Sequence, residues 1–223
     1  MSKLKWDDIG KRVYETGTSK GVLYTQDETG AYNPGVAWSG LVAVKQSPDG
    51  ADPQDMYADN MKYLSLMSAE NFKGTIDAFT YPEEFGACDG SAELVAGSGV
   101  YAGQQDRSAF GMVYSTVVGN DTVGNAYGEK IHIIYNAKVA PSERAYETIN
   151  ETPSAITFSW SFTTTPVSVD DIPALNQPTA YISIDSTKAD PAKFKAIQDV
   201  LYGTELEEAT LPTLSELITL VTE

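Results

Sequence analysis

SAITFSWSFTTT, residues 154–165, alternates without a break: Ile156, Phe158, Trp160 and Phe162 on one side, Thr157, Ser159, Ser161 and Thr163 on the other. Successive side chains of a strand point to opposite faces, so this period of two predicts a strand with one face in a core and one in water. A helix would scatter the same aromatic residues around its axis. The rest of the chain repeats the pattern. In KIHIIYNAKVA (130–140), Ile131, Ile133, Tyr135, Ala137 and Val139 share one face, and His132, Ile134, Asn136 and Lys138 the other. Further strands are expected at 21–25, 36–47, 61–68, 71–81, 108–119 and 179–185. Eight strands call for a mainly β protein, a sandwich or barrel, in a single domain over 1–223.

One segment reads as a helix. ADPAKFKAIQDVLYG supplies Asp190 as N-cap, Pro191 at the first helical position and Gly203 as a stop, and predicts a helix over about 190–202 flanking the sheet. The tail 204–223, with LPTLSELITLVTE, is apolar enough to form a short turn or an edge strand. Residues 47–60, SPDGADPQDMYADN, interrupt the strand pattern for longer than a hairpin requires and read as an extended loop, a candidate contact arm.

The 223 residues carry 31 acidic against 15 basic side chains, a formal charge of −16. Such a surface repels a phosphate backbone, which argues against tight binding of nucleic acid. No apolar run approaches the roughly 20 residues of a membrane span, and the first residues, MSKLKWDDIGKRVYE, do not resemble a signal peptide, so folding in a cytosol is expected. NDT at Asn120 and NET at Asn150 match a glycosylation pattern that has no meaning without secretion.

Catalytic chemistry is poorly supplied. One cysteine (Cys88) and one histidine (His132) cannot build a zinc site or, with the histidine on the polar face of a strand, a nucleophilic triad. The densest cluster is FTYPEEFGACDGSAEL (79–94), which gathers Glu83, Glu84, Asp89, Cys88 and Ser91. Pro82 is placed to open a short helical turn with Glu83 and Glu84 at its N-terminus, and the acidic neighbours disfavour a thiolate at Cys88. The expectation is a strand end and turn, with Cys88 a small buried side chain. No catalytic residue, metal ligand or cofactor site is expected.

Three long strings, KWDDIGKRVYETGTSKGVLY, GVAWSGLVAVKQSPDGADPQDMYADNMKYLSLMSAENFKGTIDAFTYPEEF and GNDTVGNAYGEKIHIIYNAKVAPSERAYETINETPSAITFSWSFTTTPV, together resemble the major tail protein, or tail tube protein, of long-tailed bacteriophages with non-contractile tails. The resemblance implies a β-sandwich or barrel with a flanking helix and hexameric rings stacked into a tube through which DNA leaves during genome ejection. It implies a virion protein assembled in the host cytoplasm. Its partners would be itself, tape-measure, tail terminator and distal tail proteins, and DNA in non-adhesive passage. No catalytic residues come with it. The family's long early loop falls on 47–60, which makes Ser47, Asp49, Asp52, Gln54, Asp55, Met56 and Tyr57 the inter-ring contact candidates. Many members add a C-terminal immunoglobulin-like domain. Without one here, a smooth outer surface is expected. The rival readings are a tube subunit of a phage-derived bacteriocin or secretion machine, a carbohydrate-binding β-sandwich presenting surface aromatic residues, and an enzyme using the carboxylates of 79–94.

Overall fold

The computed structural model describes residues 3–149, 151, 154–169, 172 and 175–222. Asn150 and four residues of the 167–178 crossover lie outside that set. In chain order the strands are β1 Val13–Thr25, β2 Val36–Trp38, β3 Leu41–Gln46, β4 Asp49–Gly50, β5 Pro53–Ala58, β6 Met61–Met67, β7 Glu70–Asn71 and β8 Lys73–Ala78, followed by β9 Ala92–Glu93, β10 Tyr101–Ala102, β11 Phe110–Asn120, β12 Gly124–Val139, β13 Phe158–Thr164 and β14 Tyr181–Asp185. The helices are α1 Phe85–Asp89, α2 Pro191–Tyr202 and α3 Leu214–Thr222.

An eight-stranded antiparallel sheet runs β2-β1-β11-β12-β13-β8-β3, with β14 also on β12. It curls, and its two faces hold separate cores. The inner core contains Leu23, Trp38, Ile76, Met112, Trp160 and Phe162 together with Phe85 and Cys88 of α1. On the outer face, Val22, Tyr24, Val113, Ile131 and Ile133 pack against Phe194, Ile197 and Leu201 of α2 and Leu214 and Leu217 of α3. β1, β11 and β12 are therefore buried on both sides over part of their length.

The alternation of β13 holds: Trp160 and Phe162 are buried and Ser159 and Ser161 exposed. Ile156 precedes the strand and is 39% exposed. In β12 the expected single face does not persist. Ile131, Ile133 and Tyr135 face the helices, whereas Ala137 and Val139 enter the inner core beside Ile134. The switch occurs at Asn136, whose φ of 48° is left-handed. There the pairing with β11 slips from Phe110–Ala137 to Met112–Ile134. A bulge of this kind inserts one residue and inverts every side chain beyond it. The same residue divides the other edge of β12: Lys130–Ile134 pair with β14 and Ala137–Val139 with β13.

The 36–47 strand is broken by a turn at Gly40 (φ 76°) into β2 and β3, which occupy opposite ends of the sheet order. α2 forms as its caps dictate, with the Asp190 carboxylate accepting from the amides of Ala192 (2.9 Å) and Lys193 (3.3 Å). The tail is a third helix rather than a turn or edge strand. The Glu216 carboxylate accepts from the Thr213 amide (2.8 Å) and the Thr213 hydroxyl accepts from the Glu216 amide (3.3 Å), a reciprocal capping box. Leu214, Leu217 and Ile218 then face the outer core at helical spacing, so the tail packs on its own chain.

Candidate assembly surface

The acid-rich turn is a packing element. α1 ends at Gly90 in the left-handed conformation, and the hydroxyl of Ser91 donates to the Gly86 carbonyl (3.2 Å). Glu83 accepts from the Tyr101 hydroxyl (3.1 Å). Asp89 is buried and forms an ion pair with Arg144, whose guanidinium also lies over the Phe158 ring. Burial pushes the Cys88 thiol up to about 12, which keeps it protonated. Glu83 and Asp89 are thus held by different partners, and no group of three or more metal-ligating side chains occurs among the described residues.

His132 is buried at 4% exposure; of the two roles its polar-face position allows, surface or cross-strand, it takes the cross-strand one. It stacks on Tyr114 directly across the β11–β12 pair (4.6 Å between centroids). The Thr116 hydroxyl gives its single proton to Glu15 Oε1 (2.6 Å), so His132 Nε2 donates to Thr116 (2.9 Å) and Nδ1 accepts from the Tyr181 hydroxyl (2.6 Å). Lys130 closes the network on the other Glu15 oxygen (2.9 Å). Desolvation lowers the His132 pKa, opposed by Glu15 and aided by Lys130. Neutral His132 thus links β1, β11, β12 and β14, with both ring nitrogens satisfied.

Residues 47–60 are not an irregular loop. They form the first strand and turn of a hairpin arm, β4–β5 running out and β6–β7 running back. Asp59 (φ 51°) and Asn60 (φ 61°) make a two-residue turn with both φ values positive, the type I′ geometry that matches strand twist. At the base, a Cβ on Gly50 (φ 94°) would lie 2.6 Å from the Ala69 carbonyl oxygen, so only glycine fits there.

The seven contact candidates divide between base and arm. The Ser47 amide bonds the Lys73 carbonyl (2.8 Å), and Asp49 pairs with the Lys73 ammonium, so both anchor the arm to the sheet. Asp52 is exposed at the junction. On β5 the register sets Gln54 opposite Leu66, Asp55 opposite Ser65, Met56 opposite Leu64 and Tyr57 opposite Lys62, with a bulge between the last two pairs. Asp55 accepts from Ser65 (2.8 Å) and pairs with Lys62 (2.6 Å), which makes a polar face carrying Asp55, Tyr57, Lys62 and Ser65. Alternation and register leave Gln54, Met56, Ala58, Met61, Leu64 and Leu66 on the other, while Pro53 and Met67 lie on the first.

That second face is apolar except for Gln54, and it is uncovered. Met56 is 50% exposed, Met61 64% and Leu66 52%. Every residue of β5 and β6 is exposed. Fully burying a Met or Leu side chain is worth about 1.5–3 kcal/mol, and an isolated two-stranded hairpin is marginal in water. The arm has the amphipathic pattern of a half-buried sheet without the other half. Half of its contact face, Met61, Leu64 and Leu66, comes from β6, outside the 47–60 window. The signal was available in the alternation on both sides of Asp59-Asn60.

The chain matches no protein-family model and no curated protein. No helix among the described residues is long and apolar enough to cross a membrane.

Proposed function

We propose that the chain is a structural subunit that assembles with copies of itself, the wall protein of a phage tail tube built from stacked hexameric rings. The observation that carries the reading is the apolar face of the β5–β6 arm, patterned for burial and left in water by its own chain. A second copy is the occupant that requires no further component. The sequence resemblance supplies the ring and the tube. In the assembled tube the net charge of −16 per copy gives a wall that repels DNA, which allows the genome to slide without being held. Tape-measure, terminator and distal tail proteins would meet the tube at its bore and ends, and the assembled product would reside in the virion.

The test is negative-stain microscopy and sedimentation of the purified protein over rising concentration. Tubes or rings are expected for the parent chain, and their loss is expected for Met56→Asp/Leu64→Asp with an unchanged circular dichroism spectrum. A parent protein that stays monomeric at high concentration sinks the proposal, as does full assembly by the double variant.

A further inference from the structure

The charge of the chain is unevenly distributed. Residues 3–12 hold four basic side chains (Lys3, Lys5, Lys11, Arg12) and two acidic ones, in a protein with 15 basic and 31 acidic residues. The same segment exposes three large apolar side chains: Leu4 at 72%, Trp6 at 74% and Ile9 at 81%. Its inner part is fixed, because the Gly10 amide donates to Asp121 Oδ1 (3.0 Å) and Arg12 caps the Asp7 carbonyl (2.7 Å). The segment therefore leaves the molecule beside the β11–β12 turn: Asp7 and Asp8 belong to its fixed part, Asp8 paired with Lys11 (3.3 Å), and Lys3–Trp6 beyond them alternates cationic and apolar residues.

A surface of the opposite kind lies between α2 and α3. There a groove of about 570 Å3 is lined by Val200, Leu211, Pro212, Glu216, Thr219 and Leu220. The connection leading into it carries exposed Glu205, Glu207 and Glu208 around Leu206, which is 96% exposed. This is an apolar trough beside four carboxylates.

The two surfaces do not meet within one chain, where Leu4, Trp6 and Ile9 stay exposed. Leu211 sits against Gly111, which pairs with Tyr24, so that wall of the groove is level with the C-terminal end of β1. The arm is fixed next to Val13, at the other end. Eleven residues of strand separate the two levels, roughly 35 Å at about 3.3 Å per residue, and the four residues from Gly10 to Trp6 span at most about 14 Å.

We propose that residues 3–6 of one copy dock in the α2–α3 groove of a second copy, with Trp6 as the apolar anchor and Lys3 and Lys5 facing Glu205, Glu207, Glu208 and Glu216. The inference rests on the self-assembly reading and names one of its contacts. An arm at one end of the sheet meeting a groove at the other is a heterologous contact, which propagates copies into a ring or a stack rather than closing a dimer.

The test is a charge swap in the full-length chain, read by sedimentation velocity and microscopy. Lys3→Glu/Lys5→Glu is expected to weaken self-association about tenfold or more, and adding Glu207→Lys/Glu208→Lys is expected to restore it. An arm residue this exposed leaves the fold intact, which circular dichroism checks. Lys5→Cys/Glu208→Cys should also give disulfide-linked multimers on oxidation, with Cys88 buried and inert. Parent-level assembly by Lys3→Glu/Lys5→Glu, or no rescue by the swap, overturns this contact and leaves the tube reading standing. A parent protein that never associates overturns both.

Discussion

The molecule contains two long antiparallel hairpins that share a sequence style and have opposite fates. β11–β12 and β5–β6 are both rich in alternating or continuous apolar residues, and both close through tight turns. In β11–β12, Met112, Val113, Ile133 and Ile134 are fully buried, because one face lies in the inner core and the other under α2 and α3. In β5–β6 nothing is buried. The backbone ladder is the same, so hydrogen bonding does not separate them. What differs is whether the chain supplies a layer to cover the apolar face. The first hairpin contributes to the stability of the subunit, and the second, on the proposed reading, carries its apolar surface to another molecule.

The largest effect expected from this contrast is on folding. Ile133→Ala should cost about 2–5 kcal/mol in urea unfolding, while Leu66→Ala should change monomer stability by no more than about 0.5 kcal/mol. Equal losses at the two sites would mean that the β5–β6 arm packs on its own subunit. A smaller effect is expected at the turn. Asn60→Val places a β-branched residue at φ 61° and should cost the arm about 1–2 kcal/mol, read as faster amide exchange confined to 53–67, whereas Asn60→Gly should slow that exchange. If exchange in β11–β12 rises as well, the arm is not independent of the body.

The gentlest probe is pH. His132 has a native pKa below its ordinary 6.5 because burial disfavours the cation, so the unfolded chain binds more protons just below that value. Stability is then fully present above pH 6.5 and declines as pH falls through 6.5 towards the lowered native value. Asp55, held below its ordinary 3.8 by Lys62 and Ser65, acts in the same sense but only at more acidic pH. Melting temperature should therefore start to fall below pH 6.5, and His132→Gln should remove that first slope. A flat profile down to pH 5 in the parent chain contradicts the assignment of His132 as neutral and buried.

How far the sequence reveals these features follows from how local each one is. α2 is legible because Asp190, Pro191 and Gly203 act within one turn of the backbone they cap. α3 carried an equally local signal, Thr213 three residues before Glu216, which the apolar content of the tail concealed. The β5–β6 arm is visible once Asp59-Asn60 is read as a turn that tolerates positive φ, since alternation then continues on both sides. Prolines at 48 and 53 and the glycine at 50 made the same stretch look like a loop. The charge asymmetry of the N-terminal arm is plain in the sequence, but its partner surface is not, because Val200, Leu211 and Leu220 come together only when α2 and α3 pack.

The sequence by itself determined which residues extend, which coil and how much acidic charge the surface bears, because strand alternation and helix capping act between residues a few positions apart. Only the tertiary structure decided which apolar faces find cover. His132 became buried because Tyr181, 49 residues away, closes over it. β12 changed faces at Asn136 because two different strands, β13 and β14, claim its two halves. The face of β5–β6 stayed bare because no third layer among the described residues reaches it. Burial depends on what arrives from distant parts of the chain, and a pattern of neighbours does not contain that information.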